Sequence, residues 1–150
     1  MVKLQIIKWS PILILLFCSA CSSVVIEEAE NMRMDYWENE GAEELIEQEY
    51  LDAGNGLDIF ADAVNSAEEL EEGNIIATRP VLSMEFMMEN EENRSYHLWV
   101  TEDGEGYLQS LHPHKNVTLR MDNDSVQEVK EFIAAKDDVE MVQGEIQFEQ

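Results

Sequence analysis

The sequence predicts an α+β domain, an antiparallel sheet of about four strands with two helices packed on one face, and three features point to it. Ser95 to Leu111 (SYHLWVTEDGEGYLQSL) has the two-residue period of a pleated strand on either side of Asp103-Gly104, which is the pattern of a β-hairpin. Two more stretches alternate in the same way: Leu82, Met84, Phe86 and Met88 after Pro80, and Val117, Leu119 and Met121 beyond His112-Pro113-His114. Two others have helical spacing, with Leu57, Phe60, Val64 and Ala67 on one stripe and Val126, Val129, Phe132 and Ile133 on another. A one-sided sheet needs such stripes to cover it, so the hairpin is the expected centre and the helices its roof.

The chain starts with Lys3 and Lys8, continues through the apolar run ending at Phe17, and reaches Cys18-Ser19-Ala20-Cys21. A basic start, a short apolar stretch and small residues before a cysteine are the layout of a secretory signal that ends in a bacterial lipobox, with Cys18 where Leu is usual. The apolar run is well short of the ~20 residues that a spanning helix needs. The expected organisation is therefore a lipoprotein signal peptide over 1–20, a lipid on Cys21, an acidic linker over 21–31 and one domain over 32–150. The alternative is an ordinary signal peptide cut near Ala20. Cys18 and Cys21 are the two cysteines of the chain, so a processed domain has none left for a disulfide, a thiol nucleophile or a Cys-based zinc site.

Within the domain, Met32, Met34 and Tyr36 alternate like a short first strand, and Ala42, Leu45, Ile46 and Glu49 have the spacing of a helical turn. A helix is expected over Asn55 to Leu70, capped by Asn55 and stopped by Gly73, with a solvated cluster of glutamates at its end. Ser125-Val-Gln-Glu128 reads as a capping box that starts the second helix, which closes by Lys136. The tail has Val139, Met141, Ile146 and Phe148 around Gly144, the makings of a short edge strand.

An amphipathic helix, a Pro-led strand, YHLWVTEDGEGYL and a Ser-started helix together resemble the YhfM-like lipoproteins of Bacillus and its relatives. The resemblance spans roughly Leu57 to Ile133 and is most specific at Tyr96 to Val100. It implies an anchored surface domain at the extracytoplasmic face of the membrane, and no catalytic or binding residues come with it.

The net charge is −24; residues 1–20 contain two lysines and no acid, which leaves seven basic against 33 acidic side chains and a charge of −26. Such a surface excludes nucleic acid, whose phosphates are bound by Lys and Arg, and it suits solubility in saline or alkaline surroundings, a cationic partner or divalent cations. The constellation open to chemistry is His97, His112 and His114 beside Glu102, Asp103 and Glu105. His112 and His114 could share one ion on an extended segment, although His-Pro-His is read first as a solvent turn. No serine lies in a nucleophile-elbow context, so the expectation is a protein that is not an enzyme and uses no cofactor. His97, Trp99 and Thr101 share the hairpin face opposite Tyr96, Leu98 and Val100. That face is either covered by residues 32–50 or is a contact surface for a protein partner.

The leading functional expectation is thus a membrane-anchored, non-enzymatic interaction domain, and the alternative is a cation or small-ligand binding module. Replacing Cys21 with Ser should move the protein from the membrane fraction to the soluble fraction or leave an unprocessed precursor. Labelled fatty acid should mark the parent chain and not the Cys21→Ser variant; equal labelling of both would remove the anchor.

Overall fold

A computed structural model of the chain describes residues 25–37, 45–71, 74–90, 92–114 and 116–149. The expected signal peptide, Cys21 and the helix stop at Gly73 lie outside the described residues. The described chain forms β1 (Ala29–Trp37), β2 (Leu45–Asp52), α1 (Leu57–Ser66), β3 (Glu68–Glu69), β4 (Leu82–Met88), β5 (Asn93–Val100), β6 (Gly106–His112), β7 (Val117–Arg120) and α2 (Asn123–Ala134). The strands make one antiparallel sheet in the order β2-β1-β4-β5-β6-β7-β3. The α+β class holds, but the sheet has seven strands instead of about four.

The additional strands correct three expectations. The expected linker runs to Asn31, yet Ile26 is buried and its N–H donates to Asn65 Oδ1 at 2.6 Å, so the domain takes hold before β1. The helical turn near Leu45 is instead β2, which pairs along β1 from Asn31↔Asp52 to Trp37↔Leu45. The first helix ends at Ser66, short of Leu70: Glu68 and Glu69 pair with Arg120 and Leu119, and Leu70 N–H donates to Thr118 O. Four glutamates at the C-terminal end of a helix oppose its dipole, which favours the extended alternative.

The central hairpin is as expected. The Gly104 N–H donates to Thr101 O at 3.1 Å and Gly104 takes φ 94°, a tight turn that ends on a left-handed residue. Leu98 pairs with Leu108, and Leu82, Met84 and Phe86 of β4 lie opposite Leu98, Tyr96 and Arg94. Register then carries Tyr36, Met34 and Met32 of β1 onto that same face, where all three are buried.

Both helices cover this face. They pack on each other through Phe60 and Phe132, whose rings meet edge to face at 5.1 Å. Asp122, rather than Ser125, caps α2: its Oδ1 accepts from the N–H groups of Asp124 and Ser125 at 2.9 Å each. The capping-box pattern misplaces the start by three residues because an acceptor three positions earlier reaches the free N–H groups first. The Ser66 hydroxyl, followed by the Ser125 backbone N–H, holds the Asp122 carboxyl down at about 2. At the far end of α2, Lys136 Nζ binds both carboxylate oxygens of Glu49 at 2.7 Å, and Glu49 also accepts from Tyr36 Oη at 3.0 Å.

Helix and hairpin meet most closely at Gly106. A Cβ there would stand 2.5 Å from Val126 Cγ2 and 2.9 Å from Met121 Sδ, so neither side chain would have room. Gly106→Ala should lower the stability by about 1–3 kcal/mol, the usual cost of overpacking. Urea unfolding should show a lower midpoint with an unchanged slope; an unchanged midpoint would contradict this packing.

Candidate functional site

The second face of the sheet carries Trp99, Tyr107, Gln109 and Thr118 on one half and Arg33, Asp35, Trp37, Ser83, Glu85 and His97 on the other. Among the described residues the cover lies on the first half and reaches the second through Arg79 at Trp37. Ile76 and Phe148 form a bridge, Thr101 and Val142 form another, and Phe148 packs edge to face on Tyr107 at 5.6 Å. Trp99 Nε1 donates to Thr78 O at 2.7 Å. Among the described residues the cover is therefore 74–81 and the tail near 142–148, not β1 and β2, which lie in the sheet itself.

That cover decides the fate of the expected contact surface. Trp99 and Thr101 are each 1% exposed, so neither is a surface residue, while His97 stays half-buried at the border between the two halves. His97 Nδ1 lies 2.7 Å from Ser83 Oγ, which also accepts from Trp37 Nε1 at 2.8 Å, and its ring stands edge to face with Trp99 at 5.8 Å. Burial pushes the His97 imidazole below its usual range, which keeps it neutral at pH 7.

The histidines and acids of the sequence constellation are not brought together. Glu102, Asp103 and Glu105 belong to the hairpin turn, and His112 ends β6 at the opposite end, a strand length of ~20 Å away at the ordinary rise per residue. His112 and His114 are exposed. Among the described residues, no group of three or more His, Cys, Asp or Glu side chains is placed to hold a metal ion.

The open half has its own order. Arg33 binds Asp35 Oδ2 at 3.2 Å through Nε and Glu85 Oε2 at 3.1 Å through Nη2. Gln48 Nε2 donates to Asp35 Oδ1 at 2.8 Å, and Asn93 Nδ2 donates to Glu85 Oε1 at 3.0 Å. The Arg79 guanidinium lies over Trp37, 5.9 Å from the ring centroid. Tyr50, opposite Arg33 on β2, is 60% exposed. Arg33 and Asp35 alternate with Met32, Met34 and Tyr36 in the expected first strand, but their partners Glu85 and Ser83 lie some fifty residues later, beyond the reach of local periodicity. Chemically the patch offers a fixed guanidinium, two carboxylates, a neutral imidazole and aromatic edges, a set suited to holding a polar surface.

Compared with protein-family models, curated proteins and solved structures, the chain matches none. Among the described residues, no helix is long and apolar enough to cross a membrane.

Because folding lowers the His97 pKa, the unfolded chain binds its proton more tightly, so His97 contributes stability above about pH 6.5 that is lost as pH falls toward the folded value. His97→Gln should flatten that part of the stability-pH curve in urea titrations, leaving the acid-limb loss below pH 4 unchanged. A variant curve parallel to the parent's from pH 7 to 5 would contradict the burial of this ring.

Proposed function

We propose that this protein is a lipid-anchored extracytoplasmic lipoprotein of the YhfM-like kind, and that its domain is a non-enzymatic interaction module. The anchor rests on the signal layout and on Cys21. The module rests on one observation: β1 and β2 extend the sheet beyond its second cover and leave a half-face whose side chains are held in place by one another. Side chains already fixed in the free protein lose little freedom on binding, which is where affinity is otherwise spent. Tyrosine and arginine are also the residues that most often anchor protein contacts, and Tyr50 and Arg33 face each other across this patch. A domain of such negative charge selects a partner of net positive charge and attracts it over a distance set by the salt concentration.

A photo-crosslinking residue placed at position 50 of the membrane-anchored protein should capture a discrete partner, and one placed at position 127 on the outer side of α2 should not. Arg33→Ala should cut the yield from position 50 by about tenfold or more, as for loss of an interface anchor, with an unchanged circular dichroism spectrum. Equal capture from both positions, or yields that ignore both Arg33→Ala and salt, would refute the open half-face as the contact surface.

A further inference from the structure

Three side-chain atoms buried inside the domain have no hydrogen-bond partner among the described residues: Arg94 Nε, Tyr96 Oη and Ser110 Oγ. They are neighbours by register. Tyr96 and Ser110 lie directly opposite each other across β5 and β6, and Arg94, two residues before Tyr96, falls on the same helix-covered face opposite Phe86. Tyr96 is 0% exposed and Ser110 3%. Immediately beside them the ladder slips, with Ser95 opposite His112 but Tyr96 opposite Ser110, so Leu111 is unpaired. Such bulges re-aim side chains next to functional sites. At this end of the hairpin is a cavity of about 420 Å³ lined by Glu92, Asn93, Arg94, His112 and Pro113, so Arg94 belongs both to the cavity and to the buried trio.

A buried polar atom without a partner costs more than an apolar atom in its place, and three together in one core are not explained by packing. The Arg94 Nε–H can only donate, and both hydroxyls are free to donate as well. Burial raises the Tyr96 phenol to about 12, with Arg94 pulling in the opposite direction, so it keeps its proton at neutral pH. Among the described residues no carboxylate forms an ion pair with Arg94, in contrast to Arg33 and Lys136. The fitting partner is therefore an acceptor, and the Arg94 guanidinium favours an anionic one. A phosphate would bring a second charge with no cation to meet it inside a domain that is already strongly acidic.

We propose that Arg94, Tyr96 and Ser110 form a subsite for the carboxylate of a small organic acid, reached from the Arg94–His112 cavity. The subsite lies on the opposite face of the sheet from the proposed contact surface and does not depend on that surface.

The test uses the full chain at pH 7 and constant ionic strength, titrated with acetate and butyrate as probes and with acetamide and chloride as controls, by calorimetry and thermal melting. Saturable binding and a rise in melting temperature are expected with the carboxylates and neither control. Tyr96→Phe and Ser110→Ala should each weaken the binding by about tenfold, the worth of one hydrogen bond to a charged group. Both variants should keep the parent's circular dichroism spectrum, since the removed hydroxyls have no protein partner to lose; if one fails to fold, the other carries the comparison. A nuclear Overhauser contact between bound acetate and the Tyr96 ring should place the ligand without any variant. The proposal is overturned by a response that acetamide shares, by carboxylate binding that survives both variants, or by an ordered water only, seen as a long-lived water at Ser110 that acetate does not displace.

Discussion

Strands β5 and β6 have to be buried on both faces, and the rest of the architecture follows from that demand. Trp99, Tyr107 and Thr101 need cover as much as Leu98, Val100 and Leu108 do, and all six are buried. Two helices suffice for one side. The other is closed by residues 74–81 and 142–148, which lie outside the named helices and strands and must satisfy their backbone groups individually. They do so against each other and against the sheet: Ala77 N–H donates to Gln147 O, Glu149 N–H to Ile75 O, Val142 N–H to Val100 O and Val81 N–H to Leu98 O. The Trp99 indole adds a side-chain bond from sheet to cover, so this residue both fills the second layer and helps fix its height above the strands.

What was legible in the sequence is what depends on near neighbours. The hairpin, β4, β7 and the apolar stripe of α2 all follow from spacing within a dozen residues or so, the range over which side-chain periodicity is informative. The strand pair β1–β2 was not legible as a pair. Its buried face is present in Met32, Met34 and Tyr36, but the ladder that fixes it is with β4, some fifty residues later, and acidic residues along β2 conceal its alternation. Glu68 and Glu69 read as a helix end for a similar reason, because their strand partners Arg120 and Leu119 are remote in sequence. The face of Trp99 was identified correctly, but its cover was not, since irregular segments carry no periodicity to announce where they lie. The same limit hid the Arg33–Glu85 pair and the Arg94, Tyr96 and Ser110 trio, each of which exists only once two strands are in register.

The few cations of the domain occupy places where they organise structure. Lys136 closes on Glu49 and sits over the Phe132 ring at 4.9 Å, and Lys130 caps the Glu102 carbonyl at 2.7 Å. Exposed pairs contribute little to stability, typically under about 1 kcal/mol. Their effect here is geometric: they tie the end of α2 to β2 and the middle of α2 to the hairpin turn. The Tyr36 phenol, driven well above its ordinary range by burial and then by Glu49, stays a donor and completes the first of these ties. An acidic surface is thereby compatible with a helix layer that does not drift over its sheet.

The bridge from Thr101 to Val142 also sets a schedule for a chain made from its N-terminal end. Once the chain up to Ala134 has emerged, all the described strands and both described helices are present, and the helix-covered face can close. The opposite face cannot, because Val142, Ile146 and Phe148 have not yet appeared. During that interval Trp99 and Tyr107 form an exposed aromatic strip on an otherwise assembled sheet, which is the kind of surface that chaperones and proteases bind. Val142, Ile146 and Phe148 thus turn an open sheet face into a closed one.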